Sequence, residues 1–206
     1  LQMSKSGVDL NWEAVKPQLE TINLDNVFTN QKLPISEYWK NGKVMLVFLR
    51  RIGCVYCQLM CREIAAQKDK LEEVNVKVVG VCFDENLTGE NELSKTLQSD
   101  MLIDGNKQLY KLFGLGRASA LPSMLSIFSN VFSTVKKANS QGLEYNMKGD
   151  GLQLGGIVII DQGGNNLLYR WAQQKVTDAA PIDDILKLVD TNKTVTSNDS
   201  MEEENF

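Results

Sequence analysis

Cys54 and Cys57, spaced by Val55 and Tyr56, are the residues of this chain best suited to do chemistry. Two thiols three positions apart lie one helical turn from each other, so their sulfurs can join in a disulfide. The first of such a pair gains most from a helix N-terminus, where backbone N–H groups favour the thiolate. Cys54 is therefore expected to be the nucleophile and Cys57 the resolving thiol. The plainer alternative is a pair of packing cysteines, since free cysteine is among the most buried residue types. Cys61 and Cys82 complete the set of four. Core packing is expected for both, with Cys61 a second-choice resolving thiol on the same helix face as Cys57.

The elements that must position this pair are legible on either side of it. Val44-Met45-Leu46-Val47-Phe48-Leu49 is an apolar run of the kind found in strands buried on both faces. After a turn through Arg50 to Gly53 comes a helical composition, Gln58 to Ala66, and then a second apolar strand, Val76 to Val81. The C-x-x-C thus sits where a βαβ unit, Lys43 to Cys82, passes from strand to helix, which is the thioredoxin-like redox position. The crossover is expected to be right-handed.

Arg50 and Arg51 stand just before the motif. A guanidinium near Cys54 would lower its pKa and could hold a peroxide or anionic oxygen; the alternative is a solvated pair at a strand end. Adjacent residues on an extended backbone face opposite ways, so at most one is expected to serve the site. Arg170 is expected on a strand surface. The chain has no histidine, which removes Cys–His and Ser–His–Asp machinery and every His-ligated metal site. Four thiols could in principle hold zinc, but they share one helix and one strand rather than paired knuckles, so no metal is expected.

Composition is that of an ordinary globular protein, with 206 residues, 43% hydrophobic and 23% charged. A net charge of −4 speaks against a nucleic-acid partner. No apolar run reaches the length of a membrane span, no signal peptide is visible, and so few cysteines are not a secreted disulfide scaffold. A cytoplasmic location is expected.

Residues 1–190 read as a single domain, with 1–25 as an N-terminal extension and 191–206 as a disordered acidic tail. Within it, Trp12 to Glu20 reads as a short helix interrupted by Pro17, Val27 to Leu33 as a strand and turn, and Ile35 to Trp39 as a helical turn opened by Pro34. A helix start at Thr88 to Leu93, a strand at Met101 to Ile103 and a helix from Asn106 to Phe113 follow, the last ended by Gly114. Leu121 to Asn139 reads as an apolar helix across the domain, with Met124, Phe128 and Phe132 as core or as the wall of a lipid pocket. The Gly-rich stretch Gly142 to Gly156 is a loop, Ile157 to Ile160 and Leu167 to Trp171 form a hairpin, and Pro181 starts a last helix ending near Val189. The order describes an α/β thioredoxin-like fold: a central mixed sheet flanked by helices, with an inserted helix and a Gly-rich loop.

Three segments carry a closer resemblance. Leu49 to Cys57 resembles the "LRRxGCxxC" signature of the peroxiredoxin-like 2 family, Leu109 to Leu115 is similar to a second segment of it, and Gly149 to Gly156 to its "GDxLQxGG" segment. The likeness runs from about Asn26 to about Val189. It implies an AhpC/TSA-type antioxidant fold and a thiol enzyme that reduces peroxide or endoperoxide bonds. In one branch it implies conversion of prostaglandin or prostamide endoperoxides to F-type products with NADPH. It also implies no tightly bound cofactor, with NADPH or thioredoxin as electron donor, and it raises the weight on Arg50 and Arg51 as substrate-binding residues. One departure stands out: thioredoxins place a cis-proline before the strand facing the motif, where this chain has Leu154-Gly155-Gly156. The glycines 149–156 precede a strand instead of following one, so they fail the context of a dinucleotide fingerprint, and the NADPH site is not located. A non-catalytic redox-sensing or partner-binding module is the alternative reading.

Overall fold

The computed structural model describes residues 10–84, 92–119, 132–146 and 149–199. Its centre is a mixed seven-stranded sheet of order β2-β1-β5-β4-β3-β6-β7. The strands are β1 (Asn23–Asn26), β2 (Lys32–Pro34), β3 (Lys43–Phe48), β4 (Val76–Cys82), β5 (Asp100–Ile103), β6 (Gly156–Ile160) and β7 (Leu167–Ala172). The apolar run of β3 puts that strand in the interior of the sheet, parallel to β4 and antiparallel to β6. Alternation along β3 then supplies two cores. Val44, Leu46 and Phe48 pack on one face with Trp12, Trp39, Tyr110 and Phe113. Met45, Val47 and Leu49 pack on the other with Cys57, Cys61, Ile64, Leu97 and Ile185.

Helices α1 (Trp12–Leu19) and α5 (Gln108–Leu112) cover the first face. On the second lie α2 (Val55–Ala65), α3 (Lys68–Glu73), α4 (Glu92–Leu97) and α7 (Ile182–Asp199). Residues 132–140 form a further helix, α6. The α/β thioredoxin-like reading therefore holds, with the βαβ unit spanning the expected residues.

Several local readings change. Of Val27 to Leu33, expected as a strand and turn, the turn comes first, with Asn26 Oδ1 accepting from the amides of Phe28 and Thr29, and the strand begins only at Lys32 as β2. β1 alternates exposed and buried positions with Leu24 as its only apolar residue, which hides it from a hydrophobic scan. The N-terminal extension is part of the core from residue 12 onward: Trp12, Val15 and Leu19 are buried, and β1 pairs with β5. Helix α7 continues to Asp199, past the expected end near Val189, so 191–199 is helical where disorder was expected. Neither Pro nor Gly interrupts that segment, and extending an existing helix is far easier than nucleating one.

Residues 120–131, including Met124 and Phe128, lie outside the described residues, as do 85–91. Phe132, expected as core or pocket wall, is 86% exposed, and α6 instead packs through Ala138 against Leu59 and Leu143. Leu154-Gly155-Gly156 leads into β6 through trans peptides. A Cβ at Gly155 would run into the carbonyl oxygen of Phe48, and one at Gly156 into that of Trp171. These two glycines let the chain enter the sheet edge-on beside the end of β3.

Candidate active site

The site forms where β3 runs out. Leu49 still bonds across to Val81, its amide 2.9 Å from that carbonyl. Buried Tyr110 then ties the two strand ends together, its hydroxyl donating to Leu49 O at 2.6 Å and Val81 O at 2.9 Å. From Arg50 the chain turns off the sheet and closes on itself, with Cys54 N bonding Arg51 O at 3.2 Å. Gln58 holds this turn from the helix side, donating to Ile52 O at 3.3 Å while its own oxygen accepts from Thr96.

Cys54 is the N-cap of α2. Its sulfur occupies the place an Asp or Ser oxygen usually takes, accepting from the amide of Cys57 at 3.4 Å. Cys57 lies one turn inside, and its sulfur accepts from the Arg50 amide at 3.4 Å. The two cysteines are unlinked thiols, joined to each other by a side-chain hydrogen bond.

Arg50 reaches the same place with its guanidinium. Nη1 stands 3.6 Å from Cys54 Sγ. The remaining donors go to backbone carbonyls: Nε to Gln153 O at 3.1 Å, Nη1 also to Val176 O at 2.9 Å, and Nη2 to Gly151 O. Arg51 is buried as well and acts on Cys54 through its charge, more weakly than Arg50. The hydrogen bond to the thiol comes from Arg50, in keeping with one of the pair meeting it directly. Arg170, expected on the surface, is buried on the opposite sheet face, where it donates to Phe113 O at 2.8 Å and Gly114 O at 3.2 Å. It serves the C-terminus of α5 and not the thiols.

These contacts divide the four thiols electrostatically. The Cys57 hydrogen bond lowers the Cys54 pKa to about 6; burial opposes this, and Arg50, the Cys57 amide and Arg51 add to it. Cys57 moves well above the usual range, because it donates to Cys54, is buried and feels the Cys54 charge. Burial pushes Cys61 far up, helped by the Cys54 and Cys82 charges, and raises Cys82 to about 11.

Cys54 is 1% exposed and Cys57 3%. A cavity of about 370 Å³ reaches Cys57, walled by Tyr56, Met60, Glu63, Lys137 and Gln173 among others. Lys137 and Glu63 pair across its rim at 2.8 Å. Among the described residues, no group of three or more His, Cys, Asp or Glu is arranged to hold a metal ion, and no helix is long and apolar enough to cross a membrane. The Gly-rich segment does not suit a dinucleotide. Three of its amides are already used: Leu152 N bonds Asp150, Leu154 N bonds Gly116 O, and Gly155 N bonds Gln173.

A sheet of this order, with a cysteine capping the helix that follows its central strand, is the arrangement of the thioredoxin-fold thiol oxidoreductases. A family model described as AhpC/TSA antioxidant enzyme matches residues 63–175, more than half of the chain and beginning just after both cysteines of the motif. Prostamide/prostaglandin F synthase of Xenopus tropicalis is 29% identical over 177 residues, spanning 85% of this chain and 88% of that protein. The protein of the same name from Salmo salar is 30% identical over 174 residues, spanning 84% and 87%. The reduced 2-Cys peroxiredoxin of Plasmodium vivax superposes with a TM-score of 0.59 at 16% identity, over 85% of this chain and 80% of that one, a likeness of fold. The chain belongs to the AhpC/TSA antioxidant enzyme family, in its peroxiredoxin-like 2 branch, and is a thiol oxidoreductase.

Of the site residues read from sequence, Cys54, Cys57, Arg50 and Arg51 come together. What sequence reading missed is how Arg50 is held. The carbonyls of Gly151, Gln153 and Val176 carry no side-chain signature; the "GDxLQxGG" segment was the only available hint.

Proposed function

We propose that the Cys54–Cys57 dithiol reduces O–O bonds, with Cys54 as nucleophile and Cys57 as resolving thiol. The observation that carries this is the Cys54 sulfur itself: it caps α2, accepts from the Cys57 amide and thiol, and faces the Arg50 guanidinium. Each of those donors stabilises a thiolate.

With a hydroperoxide, the Cys54 thiolate attacks one oxygen and the O–O bond breaks. The other oxygen leaves as an alcohol after taking a proton, and Cys54 becomes a sulfenic acid. With an endoperoxide the same attack leaves a sulfenate ester. Cys57 then attacks the Cys54 sulfur, a disulfide forms and the second oxygen departs as water or as the second hydroxyl. Two electrons have passed from two thiols to one O–O bond. Neutralising Cys54 in the first step removes one of the causes that hold the Cys57 proton, so oxidation of the first thiol primes the second. Arg50 holds the departing oxygen's charge, and Arg51 adds to the same field.

The relatives' names support one substrate class: a prostaglandin or prostamide endoperoxide, reduced to an F-type diol. Regenerating electrons come from NADPH, directly or through a thioredoxin-type dithiol protein, and the protein works in the cytosol. The test is steady-state reduction of hydrogen peroxide and of a prostaglandin endoperoxide, with each donor supplied. Cys54→Ser is expected to abolish turnover, and Cys57→Ser to accumulate a sulfenic acid that dimedone traps at Cys54. Full turnover by Cys54→Ser would overturn the proposal.

A further inference from the structure

The segment Gly149-Asp150-Gly151-Leu152-Gln153-Leu154-Gly155-Gly156 has no part in the chemistry above, yet it supplies two of the three carbonyls that grip Arg50. Its own placement depends on one carboxylate. Asp150 Oδ2 accepts from Lys107 Nζ at 3.0 Å and from Arg117 Nη1, and Oδ1 accepts from Arg117 Nη2 at 3.3 Å. The same Oδ1 takes the Leu152 amide at 3.1 Å, which folds 150–152 into a turn with the Gly151 carbonyl on the Arg50 side.

Both cations that hold Asp150 are themselves anchored near the thiol site. Lys107 precedes α5, the helix whose Tyr110 fixes the Leu49 and Val81 carbonyls, and its ammonium lies 4.0 Å from the centre of the Phe83 ring. Arg117 forms a bridge with Gln153, flanked by Ala118 N to Leu152 O at 2.8 Å and Leu154 N to Gly116 O at 3.0 Å. Gln153 then donates to the carbonyls of Leu115 and Gly116, both at 3.0 Å.

We propose that Asp150 is a positioning residue of the thiol site: by pinning the 149–155 loop to Lys107 and Arg117 it sets the carbonyl cradle that aims Arg50 at the Cys54 sulfur. The inference rests on the reading of Cys54 as the nucleophile. Burial alone would raise the Asp150 pKa, but its bonds to Arg117 and Lys107 hold it well below the usual carboxylate range, so the clamp stays charged wherever the enzyme works. Around Cys54 itself the ionisable groups are Arg50, Arg51, Cys57 and Cys61. Cys82, Asp84 and Tyr110 lie in the layer behind. The loop that Asp150 holds carries the carbonyls that grip Arg50 and also packs against the Arg51 side chain, 3.5 Å from the Cβ position of Gly149, so Asp150 acts on the thiol mainly through Arg50 and secondarily through Arg51.

The experiment is the pH dependence of Cys54 alkylation by iodoacetamide, read at that residue by mass spectrometry in the full chain. Asp150→Asn is expected to move the Cys54 midpoint up by about half a unit, a roughly twofold loss of rate at pH 6, and Asp150→Glu to restore much of it. In an Arg50→Gln background, Asp150→Asn should shift the midpoint much less, because most of its effect passes through Arg50. An equal shift in both backgrounds, or none in either, overturns the inference. Should Asp150→Asn fail to fold, Arg117→Gln removes one half of the clamp from a more exposed position and must give a smaller shift of the same sign. A wild-type midpoint in the ordinary thiol range would instead remove the reading of Cys54 on which the inference stands.

Discussion

Cys54 and Cys61 sit on one helix, two turns apart and both buried, yet the structure drives them in opposite directions. Cys54 has amide, thiol and guanidinium donors, and its pKa falls to about 6 in spite of burial. Cys61 faces Met, Leu and Val side chains of the second core, and desolvation pushes its proton on more firmly. Burial is therefore not what separates a reactive cysteine from an inert one here. The difference is whether hydrogen-bond donors have been brought in to replace the lost water.

The largest way to break this contrast is Arg50→Gln, which removes the charge but leaves the cap. The Cys54 midpoint should rise by about one unit, with a roughly fivefold loss of alkylation rate at pH 6. Peroxide turnover should fall with it, measured by steady-state kinetics at constant pH. An unchanged midpoint would mean that the cap and Cys57 suffice alone.

A thermodynamic effect should accompany it. The folded pKa of Cys54 lies below the ordinary thiol value of about 8.5. Its stabilising contribution is then full above the unfolded pKa and lost as pH falls through about 6. Cys57, Cys61 and Cys82 have the opposite sign and lose stability once pH rises through the unfolded thiol range. The unfolding free energy of wild type minus that of Cys54→Ser, from urea titrations, should therefore grow between pH 6 and 8.5, by up to about 3 kcal/mol. A flat difference would contradict the depressed pKa.

Cys61→Ala sharpens the comparison from the inert side. It should cost about 1 kcal/mol of stability in thermal unfolding, as a small core truncation does, and leave Cys54 alkylation and turnover close to wild type. A large loss of turnover would give Cys61 the resolving role.

How much of this was legible in the sequence varies by element. The βαβ unit was readable because β3 is buried on both faces and so is apolar at nearly every position. β1 was not, because an edge-ward strand with one apolar residue has no period to detect. The two thiols announced themselves by spacing. Arg50 met the thiol as one of the pair was expected to, whereas Arg170 went inward to cap a helix that a one-dimensional reading could not bring near it. The cradle around Arg50 is made of main-chain oxygens from residues 101 to 126 positions away, which no residue type advertises.

The most direct measurement is a site-resolved alkylation profile of the reduced wild-type chain from pH 5 to 10. Cys54 should reach half its maximal rate near pH 6, with Cys57 and Cys61 both lagging well above the ordinary thiol range. Equal rates for Cys54 and Cys57, rising together near the ordinary thiol pKa, would contradict it.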